Sequence, residues 1–472
     1  AEAPIDWHNE NPNACLQIVP ASSGGQPARM RIHMVDSKLT IEKPMRLAFG
    51  LQATPIRAMP EHQTLNIFQK NGVYADEKIF TQLQKAGCKT IVFYYSWRGN
   101  SKTEMGGTPE RPVDPAQQKQ LKEAVEMAHK HGFKVIMFTG WGVNATSPNW
   151  QQFSYELGKY PIQNKGWGTF AQASAPNGAY VDFMAYGHAD LAREYKVDGV
   201  LWDSTSNLAP DCNLLTGNAW VDREGHVRQK YPVLATRDLY RRIYNIYKSE
   251  ERTDGIIYNH GGSLWPINVY ADLLNRGEGR PMVAPTILDG WHGSLHEFRS
   301  EYSGIPFGVQ FTGENNDFAR LPMRVSTHLS VFLLQGGYPK EYSHYATHWS
   351  YQYKDRPIMA LWQIFDDLPY DQHVKATYYF QNQPIVDLSN DQLLASSFVS
   401  GDRKRAIVVI SNLHTDPADN VTAKLNFDVM GLKGNAFQIH DAMLRKPLDA
   451  QQGTLQLDIQ AQRYRILKVQ AK

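Results

Sequence analysis

The stretch Val197-Asp198-Gly199-Val200-Leu201-Trp202-Asp203-Ser204-Thr205-Ser206-Asn207 is an apolar run that stops on a carboxylate. Val200 to Trp202 read as a short buried strand, and Asp203 stands where that strand ends. A helical pattern precedes it over 180–196 and another follows over 234–249. Helix, strand and helix, with a carboxylate at the strand's C-terminal tip, is the arrangement by which α/β barrels place chemical groups. An aspartate here also suits a helix N-cap. The ten residues from Ser204 to Asn213 form a Ser/Asn/Pro-containing loop, not an immediate helix, which weakens the capping role.

The same alternation extends in both directions. Glu77 to Ala86 predicts a helix closed by Gly87, followed by a strand over 90–95. Asp114-Pro115 is a cap with a first-turn proline, opening a helix to His131 that Gly132 closes before a strand over 134–139. Further strands are expected over 255–259, 270–275 and 306–312, with helices near 294–302 and over 321–335. Alternating strands and helices mean a parallel sheet covered by helices. No Gly-x-Gly-x-x-Gly follows the first strand, and about 300 residues of such units favour an α/β fold of the (β/α)8 TIM-barrel type. The first barrel strand is either 45–51 or 90–95, so the Asp203 strand counts as third or fourth. Residues 1–55 read as a small N-terminal β appendage and 56–376 as the barrel. Residues 377–472 return to a β pattern, with strands over 393–399, 405–410, 421–427, 437–440, 454–459 and 464–469, and predict a C-terminal β-sandwich.

Composition narrows the function. The 472 residues are 42% hydrophobic and 20% charged with net charge +2, which suggests no nucleic-acid or membrane surface. No apolar run approaches the ~20 residues of a membrane span. Cys15, Cys88 and Cys212 make no disulfide framework and lack metal-ligand spacing. The Ala1-Glu2-Ala3 start, without Met, resembles a signal-peptidase product; a secreted or periplasmic protein is expected, although an arbitrary boundary gives the same start. The 11 Trp, 24 Tyr and 19 Phe are more telling, because many fall in polar loops, among them Trp97, Trp141 and Trp265. Such rings stack on the apolar faces of sugars; alternatively they pin long loops to the barrel body.

Barrel strand tips converge on one face, so the polar residues there form the candidate site. Tyr94 and Trp97, Trp141, Trp202, Asn259 with His260, and Glu314 are candidate substrate-binding residues around Asp203. Glu278 lies just past the strand expected over 270–275, between Gly277 and Gly279. Paired carboxyls in an aromatic-rich cleft are the toolkit of glycoside hydrolysis, with Asp203 as nucleophile and Glu278 as general acid/base. A salt bridge with Arg276 or Arg280 is the structural alternative for Glu278. Asn259 and His260 are expected to line the cleft floor, or else to shape the Gly261-Gly262 turn.

Other chemistries lack their residues. There is no Gly-x-Ser-x-Gly elbow, Walker loop or His-Glu-x-x-His. His344 and His348 have no nearby carboxylate, and Glu314 to Asp317 lacks a calcium-loop pattern, so no metal and no cofactor are expected.

Phe49-Gly-Leu-Gln-Ala-Thr-Pro55, the Trp202 to Asn207 tip, Tyr231-Pro232 and Gly277-Glu278 resemble a set of bacterial barrel proteins near glycoside hydrolase family 123. The shared phrases cover roughly 45–290 and imply a (β/α)8 glycosidase with flanking β domains. Family 123 enzymes proper look like substrate-assisted acetamido-sugar hydrolases with an adjacent Asp-Glu pair at a strand tip. This chain has no such pair at an expected strand end, and its tip Asp with a later Glu is more similar to retaining α-glycosidase barrels of the melibiase clan. Two further readings stay open. One is a non-catalytic carbohydrate-binding barrel using Trp141, Trp202 and Trp265. The other is a polysaccharide lyase with Tyr258 or His260 as base beside Arg276.

Overall fold

The computed structural model describes parts of 16–60, then 65–68, 77–94 apart from 86, 97, 111–158 apart from 113, 141 and 145–147, 171–173, 178–203, 211–249 apart from 223, 254–260, 267–276, 308–313, 329–342 apart from 337 and 340, 360–366, and 373–472 apart from 382–383 and 435. Seven parallel strands form the central sheet: β1 (Leu65–Phe68), β2 (Thr90–Phe93), β3 (Lys134–Thr139), β4 (Gly199–Asp203), β5 (Ile256–His260), β6 (Leu273–Arg276) and β7 (Gln310–Gly313). They lie side by side in chain order. The eighth place, β8, is filled by two short pieces, Tyr338–Pro339 and Glu341–Tyr342. The first pairs with β7 and the second with β1, both in parallel, so the sheet closes on itself. This is a TIM barrel.

The count of strands corrects one expectation. The first strand is Leu65–Phe68, not 45–51 or 90–95, and Asp203 therefore ends the fourth strand. The expected strand over 45–52 falls mostly outside the described residues, as do the helix near 294–302 and most of that over 321–335. Helices α1 (Glu77–Lys85), α2 (Pro115–Lys130), α3 (Pro148–Leu157), α4 (Gly178–Glu194) and α5 (Val233–Tyr247) connect the first five strands. The Asp114 carboxylate accepts from Ala116 N at 2.9 Å and caps α2, with Pro115 in the first turn. Gly199 is dictated by closure: a Cβ there would sit 1.9 Å from the Ile256 carbonyl oxygen of the neighbouring strand.

Side chains alternate across the barrel wall. Leu201, Tyr258 and Leu273 pair in register across β4, β5 and β6 and belong to the main buried core. Val200, Trp202 and Ile257 point the other way and pack on Tyr180 and Met184 of α4 and Tyr240 of α5. This outer layer holds polar groups as well. His188 Nε2 lies 3.4 Å from Thr139 Oγ1, and its Nδ1 lies 3.1 Å from the Tyr247 hydroxyl.

The C-terminal residues form two antiparallel sheets. Strands 375–377, 394–399, 405–412, 463–471, 437–441 and 446–447 make the larger sheet; 386–388, 418–425 and 454–459 make the smaller. Val408, Ile410, Leu467 and Val469 face the smaller sheet across a separate core. The larger sheet's opposite face, with Phe398, Ile407, Val409 and Ile466, joins the same core as the barrel's Leu333, Leu361 and Trp362. Ser411 Oγ also donates to the Ser330 carbonyl at 2.6 Å. At the N-terminal side, Leu16–Val19 and Arg29–Ile32 pair as an antiparallel hairpin.

At the N-terminal mouth of the barrel, Asp272 ties three strands together. It is 2% exposed, its backbone bonds Ile257 O and Gln310 N, and its Oδ2 accepts from Ile257 N at 2.8 Å. Arg57 Nη1 lies 3.3 Å and Lys248 Nζ 3.1 Å from Oδ1. Asp272→Asn leaves two cations facing a neutral amide. Breaking a buried pair of this kind costs about 3 kcal/mol, to be read from urea unfolding midpoints; a loss below ~1 kcal/mol would show the cluster to be electrostatically idle.

His188 gives the fold an acid sensitivity with a defined sign. Complete burial lowers its pKa from 6.5 to about 3. Between those values the unfolded chain binds a proton that the folded chain refuses, so stability rises with pH there and is lost as pH falls from about 6.5 toward 3. The slope reaches at most ~1.4 kcal/mol per pH unit. Urea midpoints at pH 7 and pH 5 should fall further apart in the wild type than in His188→Asn; equal differences would remove His188 as the cause.

Candidate active site

Asp203 and His260 are the last residues of β4 and β5 and are paired in register. Trp202 faces the helices, so the alternation of the strand turns Asp203 into the barrel at its C-terminal mouth. His260 turns inward for the same reason, because Asn259 faces outward. The two side chains meet: His260 Nδ1 lies 2.5 Å from Asp203 Oδ1. A carboxylate only accepts, so the His260 Nδ1–H donates in this contact. The side chains of Asp203 and His260 are 11% and 14% exposed, enough for both to reach the cavity while most of their surface is enclosed.

Below this pair the interior is filled. The Tyr258 hydroxyl and Thr312 Oγ1 are hydrogen-bonded at 2.6 Å across β5 and β7, and both residues are wholly buried. Thr312 sits in register with Asn275, and Asn275 with His260. The tips of β4 to β7 therefore end on one edge, with Asp203 and His260 above a closed floor.

Three sequence expectations are corrected here. Trp202 does not line the cavity: it is fully buried on the helix side, stacked on Tyr240 with ring centroids 4.6 Å apart. Asn259 is not on the floor between the carboxyls either, for its Oδ1 accepts from the Tyr240 hydroxyl at 2.6 Å behind the strand. Trp97 is 2% exposed, and its Nε1 donates to the Phe138 carbonyl at 2.9 Å, so it locks β2 to β3 instead of presenting a face. Tyr94 is half-buried and packs on Phe138 at 4.2 Å between centroids. Trp141, Trp265, Glu278 and Glu314 lie outside the described residues; in sequence, Glu278 follows the end of β6 by two residues and Glu314 follows β7 directly.

Tyr240 and Thr312 were not legible as contributors. Both act through residues distant in sequence, and neither stands in a motif. Tyr258 offers no base for lyase chemistry, since its phenol is wholly buried and held by Thr312. Among the described residues one His/carboxylate group has metal-ligand proximity, Asp222, Glu224 and His226 at a hairpin turn, and Arg228 Nε already lies 2.5 Å from Asp222. No described helix is long and apolar enough to cross a membrane.

No protein-family model and no curated protein matches the sequence. Solved structures share the fold. A noncanonic maltogenic alpha-amylase from Thermotoga neapolitana is 11% identical over 87% of this chain and 99% of its own, with a TM-score of 0.53. A family 27 β-L-arabinopyranosidase from Geobacillus stearothermophilus is 10% identical over 87% and 96%, also at 0.53. Alpha-galactosidase I from Mortierella vinacea is 14% identical over 87% and 97%, at 0.50. The chain has the architecture of TIM-barrel glycosidases with C-terminal β domains. At such identities the likeness extends to the fold and no further.

His260 has a polar contact with Asp203 at the mouth of the barrel. His260→Ala should lower turnover at least ~10-fold and shift the melting midpoint by no more than ~2 °C. An unchanged rate with a lowered midpoint would make His260 a structural residue.

Proposed function

We propose that this chain is a glycoside hydrolase that cleaves an O-glycosidic bond with two carboxyl groups. The observation that carries the reading is Asp203, inward at the C-terminal tip of β4 and held by His260 at 2.5 Å. A fixed, partly enclosed carboxylate at that place is a nucleophile for an anomeric carbon, and the imidazole sets which oxygen lone pair faces the cavity. Glu278 is the proposed acid/base. Strands β4 and β6 are separated by β5, which puts their axes roughly 10 Å apart. Retention would require the two carboxyls ~5–5.5 Å apart, inversion ~6.5–9.5 Å.

The solved neighbours support a carbohydrate substrate, as their titles name an amylase, an arabinopyranosidase and a galactosidase. A resemblance to the family 123 group remains at the level of short phrases. The single carboxylate at the Asp203 tip favours direct attack by the protein over acetamido assistance, because the latter needs a second acid beside the first. A non-catalytic sugar-binding barrel is the remaining alternative. An inward carboxylate whose orientation is set by an imidazole favours chemistry over binding alone.

The test uses a panel of 4-nitrophenyl glycosides on the whole chain. Asp203→Ala should lose on the order of 10⁴-fold in turnover with an unchanged melting midpoint. Glu278→Ala should lose much less on these activated aryl leaving groups than on alkyl glycosides, and azide should raise its rate. Full activity in Asp203→Ala would sink the nucleophile assignment. Binding of a glycan without release of any sugar would replace hydrolysis by the binding-only reading.

A further inference from the structure

The residues that precede Asp203 and His260 share one partner. Trp202 and Asn259 stand in register on the helix side of β4 and β5. The Tyr240 ring of α5 stacks on Trp202 at 4.6 Å and 24°, and its hydroxyl donates to Asn259 Oδ1 at 2.6 Å. Tyr240, Trp202 and Asn259 are all 0% exposed. The Trp202 Nε1 and Asn259 Nδ2 atoms are buried without a hydrogen-bond partner among the described residues, so the Tyr240 hydroxyl supplies the one hydrogen bond to the Asn259 side chain there.

We infer that Tyr240 is a positioning residue that sets the Asp203–His260 contact from behind the sheet. Asp203 and His260 are each the last residue of a strand, so the backbone that aims them is anchored at the residue before. One side chain gripping both anchors fixes the tip of β4 against the tip of β5. A displacement of well under an ångström at either anchor passes directly into the acid–imidazole geometry, to which a reacting centre is sensitive. The stack holds Trp202 by shape, and the hydroxyl holds Asn259 by direction.

The inference rests on the glycosidase reading for its kinetic consequence but not for its structural one. Tyr240→Phe keeps the ring and the stack and removes only the tether. Tyr247→Phe is the control, as it removes a hydroxyl of the same helix and the same buried layer that instead contacts His188 Nδ1 at 3.1 Å. With ¹⁵N-labelled histidine, Tyr240→Phe should move the ring resonances of His260, identified by their absence in His260→Gln. Tyr247→Phe should move those of His188 and leave His260 in place. On the 4-nitrophenyl glycoside that the wild type turns over, Tyr240→Phe should lower kcat about tenfold with KM within about twofold, while Tyr247→Phe keeps the wild-type kcat. Asn259→Ala, which removes the acceptor, should reproduce Tyr240→Phe, and the double variant should add nothing further; it also serves in both measurements if Tyr240→Phe does not fold. Unmoved His260 resonances in a folded Tyr240→Phe, or an equal fall of kcat in both tyrosine variants, would overturn the inference. If the wild type hydrolyses no glycoside, the glycosidase reading fails, and the His260 resonances still decide the role of Tyr240.

Discussion

A strand in a closed parallel barrel gives every second residue to the interior and the others to the helices, and this alternation governs the whole of the candidate site. On β4 it separates Trp202 from Asp203; on β5 it separates Asn259 from His260. In-register pairing of the two strands then puts like beside like. Trp202 and Asn259 share the layer under α5, while Asp203 and His260 share the mouth of the barrel. A shift of one residue in either strand would exchange the two sets and bury the carboxylate against apolar helix residues. The chemistry at the mouth therefore depends on the packing that fixes register, including the contact between Gly199 and Ile256, where no side chain fits.

The barrel also places two buried aspartates at its opposite mouths. Asp272 stands at the start of β6, nearly sealed, with Arg57 and Lys248 beside its Oδ1 and the Ile257 amide on its Oδ2. Asp203 stands at the end of β4, with the His260 imidazole on its Oδ1 and a side chain 11% exposed. Both are inward of the surface, and burial alone does not tell them apart. The difference lies in which groups hold them: cations and a backbone amide for Asp272, an imidazole at the opposite mouth for Asp203. This division matches the two ends of a TIM barrel, structural contacts at one mouth and the proposed site at the other.

Much of this was legible in the sequence. The alternation of elements announces a barrel, and a run of apolar residues stopping on Asp203 places a carboxylate at a strand tip. The first strand was missed because Leu65–Phe68 has only four residues, too few for a period to be read. The misplacement of Trp202 and Asn259 has a different origin. Each was grouped with its neighbour as a strand-tip polar residue, although adjacent residues of one strand cannot both face the cavity. The period of two was available to correct this. Tyr240 was not recoverable by any such rule, because its role arises from α5 packing on two strands that are distant in the chain.

The fold narrows the chemistry less than the site does. Barrels of this shape serve many reactions, and similarity near 11% identity carries no residue with it. Lyase action through Tyr258 is opposed by a local fact, as the phenol that would have to take a proton is enclosed and already bonded to Thr312. With Nδ1 of His260 committed to Asp203, base chemistry at that residue would have to run through Nε2. In the proposed reading Asp203 is an oriented carboxylate at a barrel mouth. Such a group is suited to attack a carbon that is losing a leaving group, and it needs a second acid to protonate that group as it departs. Glu278 follows the end of β6 by two residues in sequence, which is where the proposed two-carboxyl reading places that acid.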